Sequence, residues 1–136
     1  MMSTPEVMAE FRPFFEATGR DHLAFPQCEE CLRFHWYPLQ RCPHCTSPKL
    51  TWTRVAKRAT LYSWTMIHHP FTEADAARVP YLVGLVDILA ADGVRLVVSI
   101  DRRYLPRLAA GLAGALAIES RPGELDRVEF TPDPTR

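Results

Sequence analysis

The residues whose types and spacing most clearly suit chemistry are four cysteines, arranged in two pairs. Cys28 and Cys31 are separated by two residues, and so are Cys42 and Cys45, with ten residues between the pairs. This spacing lets each pair form a tight turn, or knuckle, that directs both sulfurs to one point, with backbone amides able to donate to the thiolates. Four thiolates at the corners of a tetrahedron suit zinc. The spacing therefore predicts one zinc ion bound by all four cysteines.

A site closed by four cysteine ligands is typical of structural zinc. Catalytic zinc keeps one coordination position for water or substrate, whereas four sulfurs occupy every position. A redox dithiol is the main alternative for a CxxC pair, but thioredoxin-like motifs adjoin a βαβ unit, and the flanking sequence here is hairpin-like. His35 and His44 lie near the cysteines but are not needed as ligands, and we expect His44 to be exposed.

No catalytic constellation is evident elsewhere in the sequence. His68 and His69 are adjacent at the end of an expected strand, so their side chains point to opposite faces. Ser63 and Ser99 lack a nucleophile-elbow motif, and Asp87 is expected either on the barrel surface or partly buried in a hydrogen bond. The sequence contains no Gly-rich phosphate loop and no dinucleotide fingerprint. We therefore expect that the chain is not itself an enzyme.

The segment before the cysteines predicts a helix over residues 5–18. Thr4 and Pro5 suit a cap and a first turn, and Gly19 suits the end, whereas Pro13 should kink or split the helix. Apolar residues recur at helical spacing. They are Val7, Met8, Phe11, Phe14 and Phe15. We expect this stripe to pack against the rest of the chain, and a docking surface for a partner is the alternative.

The cysteine segment and the residues that follow it differ in composition. Residues 21–50 hold the cysteines but too little hydrophobic bulk to form a core without a metal. The later residues are rich in β-branched and aromatic types. The predicted strands are 50–57, 60–68, 80–90, 94–100, 115–121 and 127–131. Asp92-Gly93 predicts a hairpin turn, residues 73–78 an exposed loop, and residues 101–114 one or two helical turns interrupted by Pro106.

The six predicted strands are short, and this pattern predicts a small closed barrel, for which an OB-fold is the nearest common architecture. The predicted fold class is therefore mainly β. We expect an N-terminal helical segment over residues 1–20, a rubredoxin-like zinc ribbon over 21–50 and an OB-fold barrel over 51–133.

The whole chain has the composition of an ordinary soluble globular protein, with 47% hydrophobic and 24% charged residues. Sixteen basic residues balance sixteen acidic ones, so net charge does not favour nucleic acid or an anionic membrane. The longest apolar run, residues 108–118, is shorter than the about 20 residues that span a bilayer, and no signal-peptide pattern is visible. We expect a cytoplasmic protein, where cysteines stay reduced and available to metal.

The order of these features resembles the DUF35 family of zinc-ribbon/OB-fold proteins. The resemblance rests on the aromatic helix at residues 11–15, the two CxxC pairs, the Leu-Thr-Trp-Thr segment at 50–53 and the barrel strands at 61–65 and 80–87. It covers about residues 8–133. One departure from the family pattern is Leu32, which follows the first knuckle at a position where glycine is frequent. A left-handed backbone at this position would cost more for leucine than for glycine.

The resemblance implies an accessory role. Members of the family commonly accompany thiolase-like enzymes, and others partner a thiolase-fold aldolase or a hydratase that acts on acyl-CoA, including steps of steroid side-chain breakdown. The expected partner is therefore a thiolase-like or aldolase subunit, with acyl-CoA at the shared interface. The family's metal ligands correspond to Cys28, Cys31, Cys42 and Cys45, while no family motif identifies CoA-contact residues.

Two other functions remain open. Zinc ribbons and OB-folds can both bind single-stranded nucleic acid. Tyr62, Trp64, Phe71 and Tyr81 could then be stacking platforms, although alternating strand positions more simply fill the barrel, and a neutral chain suits phosphate poorly. A stand-alone enzyme for CoA thioesters is the other alternative, and the closed metal site disfavours it.

Overall fold

The computed structural model describes residues 7–135 and is mainly β, as predicted. The helices are α1 (Arg12–Thr18) and α2 (Glu73–Ala76), and the strands are β1 (Leu23–Cys28), β2 (Leu50–Val55), β3 (Arg58–Ile67), β4 (Tyr81–Ile88), β5 (Arg95–Ile100), β6 (Ala113–Glu119) and β7 (Arg127–Pro132). Two 3₁₀ turns lie at Ala9–Phe11 and Arg102–Arg107. Across residues 7–135, no helix has the length and apolar character that crossing a bilayer requires.

Five strands close into a barrel in the order β3-β4-β5-β7-β6. Neighbouring strands are antiparallel except β5 and β7, which meet in parallel at one pair, Ser99 and Glu129. Alternate residues of β4 are buried, so one side of this strand faces the interior. The closed barrel confirms the predicted OB-fold architecture.

The turn between β4 and β5 confirms the hairpin predicted from Asp92 and Gly93. The two strands pair from Leu82 opposite Ile100 to Asp87 opposite Arg95. Gly93 has a φ of 85°, a left-handed conformation that glycine adopts without a side-chain penalty.

A separate two-stranded sheet, made of β1 and β2, precedes the barrel. The sequence predicts a strand over residues 50–57, but not that it pairs with residues 23–28 rather than with the barrel. Leu23 and Phe25 are fully buried, but in a core that they share with the helix and the barrel and not in a core of the cysteine segment alone. β1 is missed because Pro26 argues against a strand and because burial on both faces removes the period-two pattern. The division into three segments stays a prediction.

The N-terminal helix is shorter than the predicted 5–18. It begins at Arg12, after a 3₁₀ turn, and Pro13 lies in its first turn, where a missing N–H loses no hydrogen bond. Pro13 therefore starts the helix and does not kink it. The predicted cap and first turn at residues 4–5 lie outside the described residues, and the α-helix ends before Gly19, as predicted.

One hydrophobic core joins the helix, the two-stranded sheet and the barrel. The Phe14 ring of α1 lies 6.0 Å from the Phe25 ring of β1 and 5.0 Å from that of Trp36. Phe14 also belongs to the same buried cluster as Leu61 and Phe130 of the barrel. The aromatic stripe thus packs against the rest of the chain, as expected, except at its exposed N-terminal end.

Two connections contain short helices. The segment 73–78, predicted as a loop, begins with α2, and its N-cap Thr72 accepts a hydrogen bond from the backbone N–H of Asp75. The segment 101–114 contains a 3₁₀ turn with Pro106 inside it, which confirms the predicted helical turns.

An ion pair links Asp133, which follows β7, to Arg58 at the start of β3. The guanidinium of Arg58 donates two hydrogen bonds to the carboxylate of Asp133, at 2.7 and 2.5 Å. These hydrogen bonds hold the pKa of Asp133 below its usual range. Ionised Asp133 therefore stabilises the fold above the ordinary aspartate pKa, and this stabilisation is lost as pH falls through the lowered pKa.

We expect Asp133→Asn to lower the melting temperature at pH 7 and to have no effect in the most acidic buffer in which the protein stays folded. The shift should be modest, because the two side chains are 40% and 41% exposed. Circular-dichroism melts across pH measure it. Asp92→Asn, at an exposed carboxylate in the β4–β5 turn, is the control. A melting temperature that is lowered by the same amount at low pH would contradict the stabilising role of ionised Asp133.

Candidate metal centre

The four cysteines converge where the β1–β2 sheet ends. All four sulfurs lie within 4.8 Å of one another. The Sγ atoms of Cys28 and Cys45 are 3.5 Å apart, and those of Cys31 and Cys42 are 3.6 Å apart. Tetrahedral Zn–S bonds of about 2.3 Å place sulfurs about 3.8 Å from one another. The predicted residues are thus brought together and could hold a metal ion.

The two knuckles direct backbone donors at their first cysteine. In the first knuckle, the backbone N–H groups of Glu30 and Cys31 each lie 3.4 Å from the sulfur of Cys28. In the second, the N–H of His44 lies 3.4 Å from the sulfur of Cys42. Such donors favour the thiolate over the thiol, and a metal binds the thiolate.

Each knuckle is closed by a residue with a left-handed backbone. Leu32 has a φ of 65° and Thr46 a φ of 67°. Their N–H groups donate to the carbonyl oxygens of Cys28 and Cys42, at 3.0 and 2.8 Å. This conformation is unfavourable for a residue with a side chain, and the surrounding turn enforces it. Leu32 therefore carries the cost of a left-handed backbone that glycine at this position would avoid.

Replacing Leu32 with glycine is expected to stabilise the first knuckle by about 0.5–1 kcal/mol, because glycine avoids the left-handed penalty, part of which is offset by its greater freedom in the unfolded chain. Little packing is lost, since the leucine side chain is 65% exposed. Urea unfolding measures the change. Leu39→Gly, at another exposed ribbon leucine without a positive φ, should destabilise. A less stable L32G variant contradicts this account.

The thiols of Cys28 and Cys45 differ in pKa. The backbone N–H of Cys31, helped by that of Glu30 and by neighbouring thiols, lowers the pKa of Cys28 to about 7, although burial opposes this. At Cys45 the N–H of Ser47 lowers the pKa, but the hydrogen bond with Cys28, burial and the other sulfurs outweigh it and raise the pKa to about 12. Four negative sulfurs this close need a cation. The donor set therefore fits a bound metal.

The two histidines near the cage have different environments. His44 is exposed, as predicted, and its Nε2 lies 3.2 Å from the carbonyl oxygen of Phe34. His35 is only 6% exposed, and within residues 7–135 neither of its ring nitrogens has a hydrogen-bond partner. Burial, together with the nearby His44, lowers the pKa of His35. Neither histidine is needed to complete the set of four sulfurs.

The polar residues considered for catalysis are dispersed. His68 and His69 are exposed just after the end of β3. Asp87 lies on the barrel surface, where its carboxylate accepts a hydrogen bond from an arginine of β5 at 2.9 Å. Ser63 and Ser99 lie on different strands. Within residues 7–135, these groups therefore do not converge on one site.

Of the aromatic residues that were expected to fill the barrel, Tyr62 and Trp64 lie on its surface, and Phe71 lies in the connection between β3 and α2. Tyr62, Trp64 and Phe71 are 47%, 38% and 75% exposed, while Tyr81 is half-buried. Tyr62 lies in a register shift of β3, and such an extra residue breaks the alternation on which the expectation rests. The guanidinium of Arg95 lies 3.7 Å from the centroid of the Tyr62 ring.

An apolar groove of about 410 Å³ lies between α1 and the barrel. Its lining includes Phe15 from the helix, Val83 and Val97 from the barrel, and the charged residues Arg78, Asp126 and Arg127. This volume is within the range of small-molecule sites. The sequence gives no signal for the groove, because its residues come from separate segments of the chain.

A four-cysteine ribbon followed by an OB-fold barrel defines the class of this protein, and known proteins of that class resemble it. Residues 52–119, half of the chain, match the family model described as ChsH2, C-terminal OB-fold domain. A chain of the Ltp2-ChsH2(DUF35) aldolase structure has a TM-score of 0.80 and 28% identity, covering 94% of this chain and 98% of that chain. A DUF35 protein of unknown function from Sulfolobus solfataricus shares the fold, with a TM-score of 0.61, 16% identity and coverage of 92% and 86%.

A curated relative described as a probable enoyl-CoA hydratase alpha subunit, from Thermomonospora curvata, is 32% identical over 87 residues. The match takes in 64% of this chain and 26% of the relative, so the chain spans about a quarter of that protein's length. The chain belongs to the DUF35 family, and its barrel is an OB-fold domain of the ChsH2 type.

Proposed function

We propose that this chain is a non-catalytic accessory subunit that binds a thiolase-like, aldolase or hydratase partner and helps to hold an acyl-CoA substrate. The observation that carries the proposal is the likeness, over 94% of the chain, to a chain of the Ltp2-ChsH2(DUF35) aldolase. The likeness to a probable enoyl-CoA hydratase alpha subunit supports the acyl-CoA part. The partner supplies the catalytic residues, and the complex acts in the cytoplasm on an acyl group of the lipid or steroid kind.

The metal in this proposal is zinc, bound by Cys28, Cys31, Cys42 and Cys45. Soft thiolate ligands with backbone donors suit zinc, and a four-sulfur shell leaves no position for water or substrate. When bound, zinc cross-links the end of β1 to the segment before β2. Its role is therefore to hold the ribbon in the shape that the partner recognises.

The apolar groove beside α1 is the proposed place for the acyl portion. Its aliphatic and aromatic walls would remove methylene groups from water. Arg78 and Arg127, which are paired with Asp75 and Glu124, would offer their remaining hydrogen-bond donors to an anionic group of the same ligand. The groove is on the outside of the barrel, so the partner subunit could cover it.

A pull-down from extract of the native cell, with the captured protein identified by mass, tests the proposal. We expect a thiolase-like, aldolase or hydratase subunit in near-equal molar amount. The complex should convert an acyl-CoA, and the purified chain alone should not. Turnover of a CoA thioester by the isolated chain would overturn the accessory role.

A nucleic-acid-binding module is the second candidate, favoured by the exposed aromatic side chains of β3. The balance of sixteen basic and sixteen acidic residues weighs against it, because phosphate contacts dominate such affinity. Salt-dependent retention of the protein on single-stranded DNA, without capture of an acyl-CoA enzyme, would favour this candidate over the accessory role.

A further inference from the structure

A cleft of about 690 Å³ lies between the ribbon and the β4–β5 turn, and we call it the ribbon cleft. It is lined by residues 32–36 and 43–44 on the ribbon side and by Ala90, Asp92 and Gly93 on the barrel side. It shares no lining residue with the groove beside α1. Its volume is within the range of small-molecule sites and is far larger than a single ion needs.

The ribbon wall of this cleft is an extended segment held against β1. The backbone N–H of Cys28 donates to the carbonyl oxygen of Arg33 at 2.9 Å, and the N–H of His35 donates to that of Pro26 at 3.2 Å. Residues two apart in an extended segment direct their side chains to the same face and lie about 6–7 Å from each other. Arg33 and His35 therefore face the ribbon cleft together.

The most buried residue of the ribbon cleft is an imidazole without hydrogen bonds. His35 is 6% exposed, and both of its ring nitrogens lack a partner in the described part of the chain. Buried polar atoms in native proteins are nearly always bonded to protein, water or ligand. Burial lowers the pKa of His35, so the ring is neutral at pH 7 and presents one N–H donor and one acceptor nitrogen. This end of the cleft therefore suits uncharged polar groups.

The exposed side of the ribbon cleft carries charge. Arg33 is exposed, and no carboxylate among residues 7–135 forms an ion pair with it. A guanidinium in this state can bind phosphate through two parallel hydrogen bonds. Asp92, on the opposite wall, is also exposed and could accept hydrogen bonds from hydroxyl or amino groups. Between these charges lie apolar side chains, among them Phe34 and Pro43.

We propose that the ribbon cleft binds a nucleotide, with its phosphate at Arg33, a sugar hydroxyl at Asp92, and its base against His35 and the apolar lining. Inorganic phosphate would leave His35 without a partner, and a sugar phosphate has no flat apolar face for Phe34. The spacing of Arg33 and His35 likewise requires a ligand with an anionic group and an uncharged polar group at separate positions.

A free nucleotide and the nucleotide end of an acyl-CoA present the same chemistry to the ribbon cleft. The inference goes beyond the proposed accessory role, because the residues that hold the nucleotide all belong to this chain and need no catalytic partner.

Isothermal titration calorimetry of the metal-loaded full chain tests the site with adenosine monophosphate (AMP), adenosine and inorganic phosphate. The wild type should bind one AMP per chain and each of the other two at least about tenfold more weakly. Arg33→Gln should weaken AMP binding at least about tenfold and leave adenosine binding unchanged, because only the phosphate contact is lost. The control Arg54→Gln removes the same charge at an exposed position of β2 outside the cleft and should leave the Kd for AMP unchanged.

Nuclear magnetic resonance of the chain with isotope-labelled histidine provides a readout that needs no substitution in the buried part of the cleft. AMP should shift the ring-nitrogen signals of His35, while those of His68 and His69, which lie just after β3, should not move. Coenzyme A that binds more tightly than AMP and competes with it would identify an acyl-CoA as the source of the nucleotide. Coenzyme A that binds no more tightly than AMP would identify a free nucleotide.

Four results would overturn the proposal. They are the absence of AMP binding, inorganic phosphate binding as tightly as AMP, an R33Q chain with wild-type affinity for AMP, and His35 signals that AMP leaves unchanged. A single-stranded oligonucleotide that binds far more tightly than AMP would also overturn it and assign the cleft to nucleic acid. The pull-down tests the accessory role independently, so either proposal can fail while the other holds.

Discussion

Replacing Cys42 with serine is expected to remove the bound metal and to unfold the ribbon. Cys42 is 1% exposed, and its sulfur lies 3.6 Å from that of Cys31. A serine hydroxyl does not ionise at neutral pH, so only three thiolates remain. Metal binding supplies an apparent ~10–16 kcal/mol to small zinc domains, and this free energy is their folding free energy. Elemental analysis of the purified chain should show metal falling from about one ion per chain to nearly none.

The matched control is His44→Ala, in the same knuckle. His44 is exposed and supplies no sulfur, so this variant should keep its metal. Tryptophan fluorescence offers a second readout. Trp36 lies in the cysteine segment and Trp52 in β2, and the centroids of their rings are 6.2 Å apart. A C42S chain with wild-type metal content would falsify the four-sulfur ligand set, and loss of metal from H44A would show that the histidine takes part.

The second large effect is expected at Phe14. Its replacement with alanine should lower the free energy of unfolding by about 3–5 kcal/mol, since a buried phenylalanine is exchanged for a cavity. The ring is 5% exposed and contacts Phe25 of β1 and Trp36 after the first knuckle. Removing it therefore loosens the helix from the two-stranded sheet. Urea denaturation monitored by circular dichroism measures the loss.

Phe11→Ala is the control that separates packing from docking. Phe11 is only half-buried, with its ring 5.6 Å from the rings of Trp36 and Tyr37, so its loss should cost about 1 kcal/mol. If the helix also contacts the partner subunit, F11A should weaken capture of that partner with little change in stability. An F14A variant as stable as F11A would mean that the helix is not part of the core.

Predictions from the sequence succeeded where the signal is local. The grouping of the four sulfurs follows from two tight turns, each set by a two-residue spacing. The β4–β5 hairpin follows from Asp92-Gly93, whose backbone preference is intrinsic to those residues.

Predictions failed where the outcome depends on which segments meet. β1 escaped notice because its two buried faces hide any alternation, and only its partner β2 explains its extended shape. Pro13 seemed to break a helix whose true start lies one residue before it, at Arg12. The groove beside α1 combines residues from the helix, three barrel strands and two loops, and no window of sequence contains it.

By itself the sequence determined that this chain gathers four cysteines ahead of a small β barrel, because knuckle spacing, turn residues and strand composition act over a few neighbouring positions. Only the tertiary structure decided that residues 50–55 leave the barrel for a separate sheet and that Tyr62 and Trp64 face outward. Strand pairing joins residues far apart in the chain, and a one-residue bulge reverses which side chains are buried.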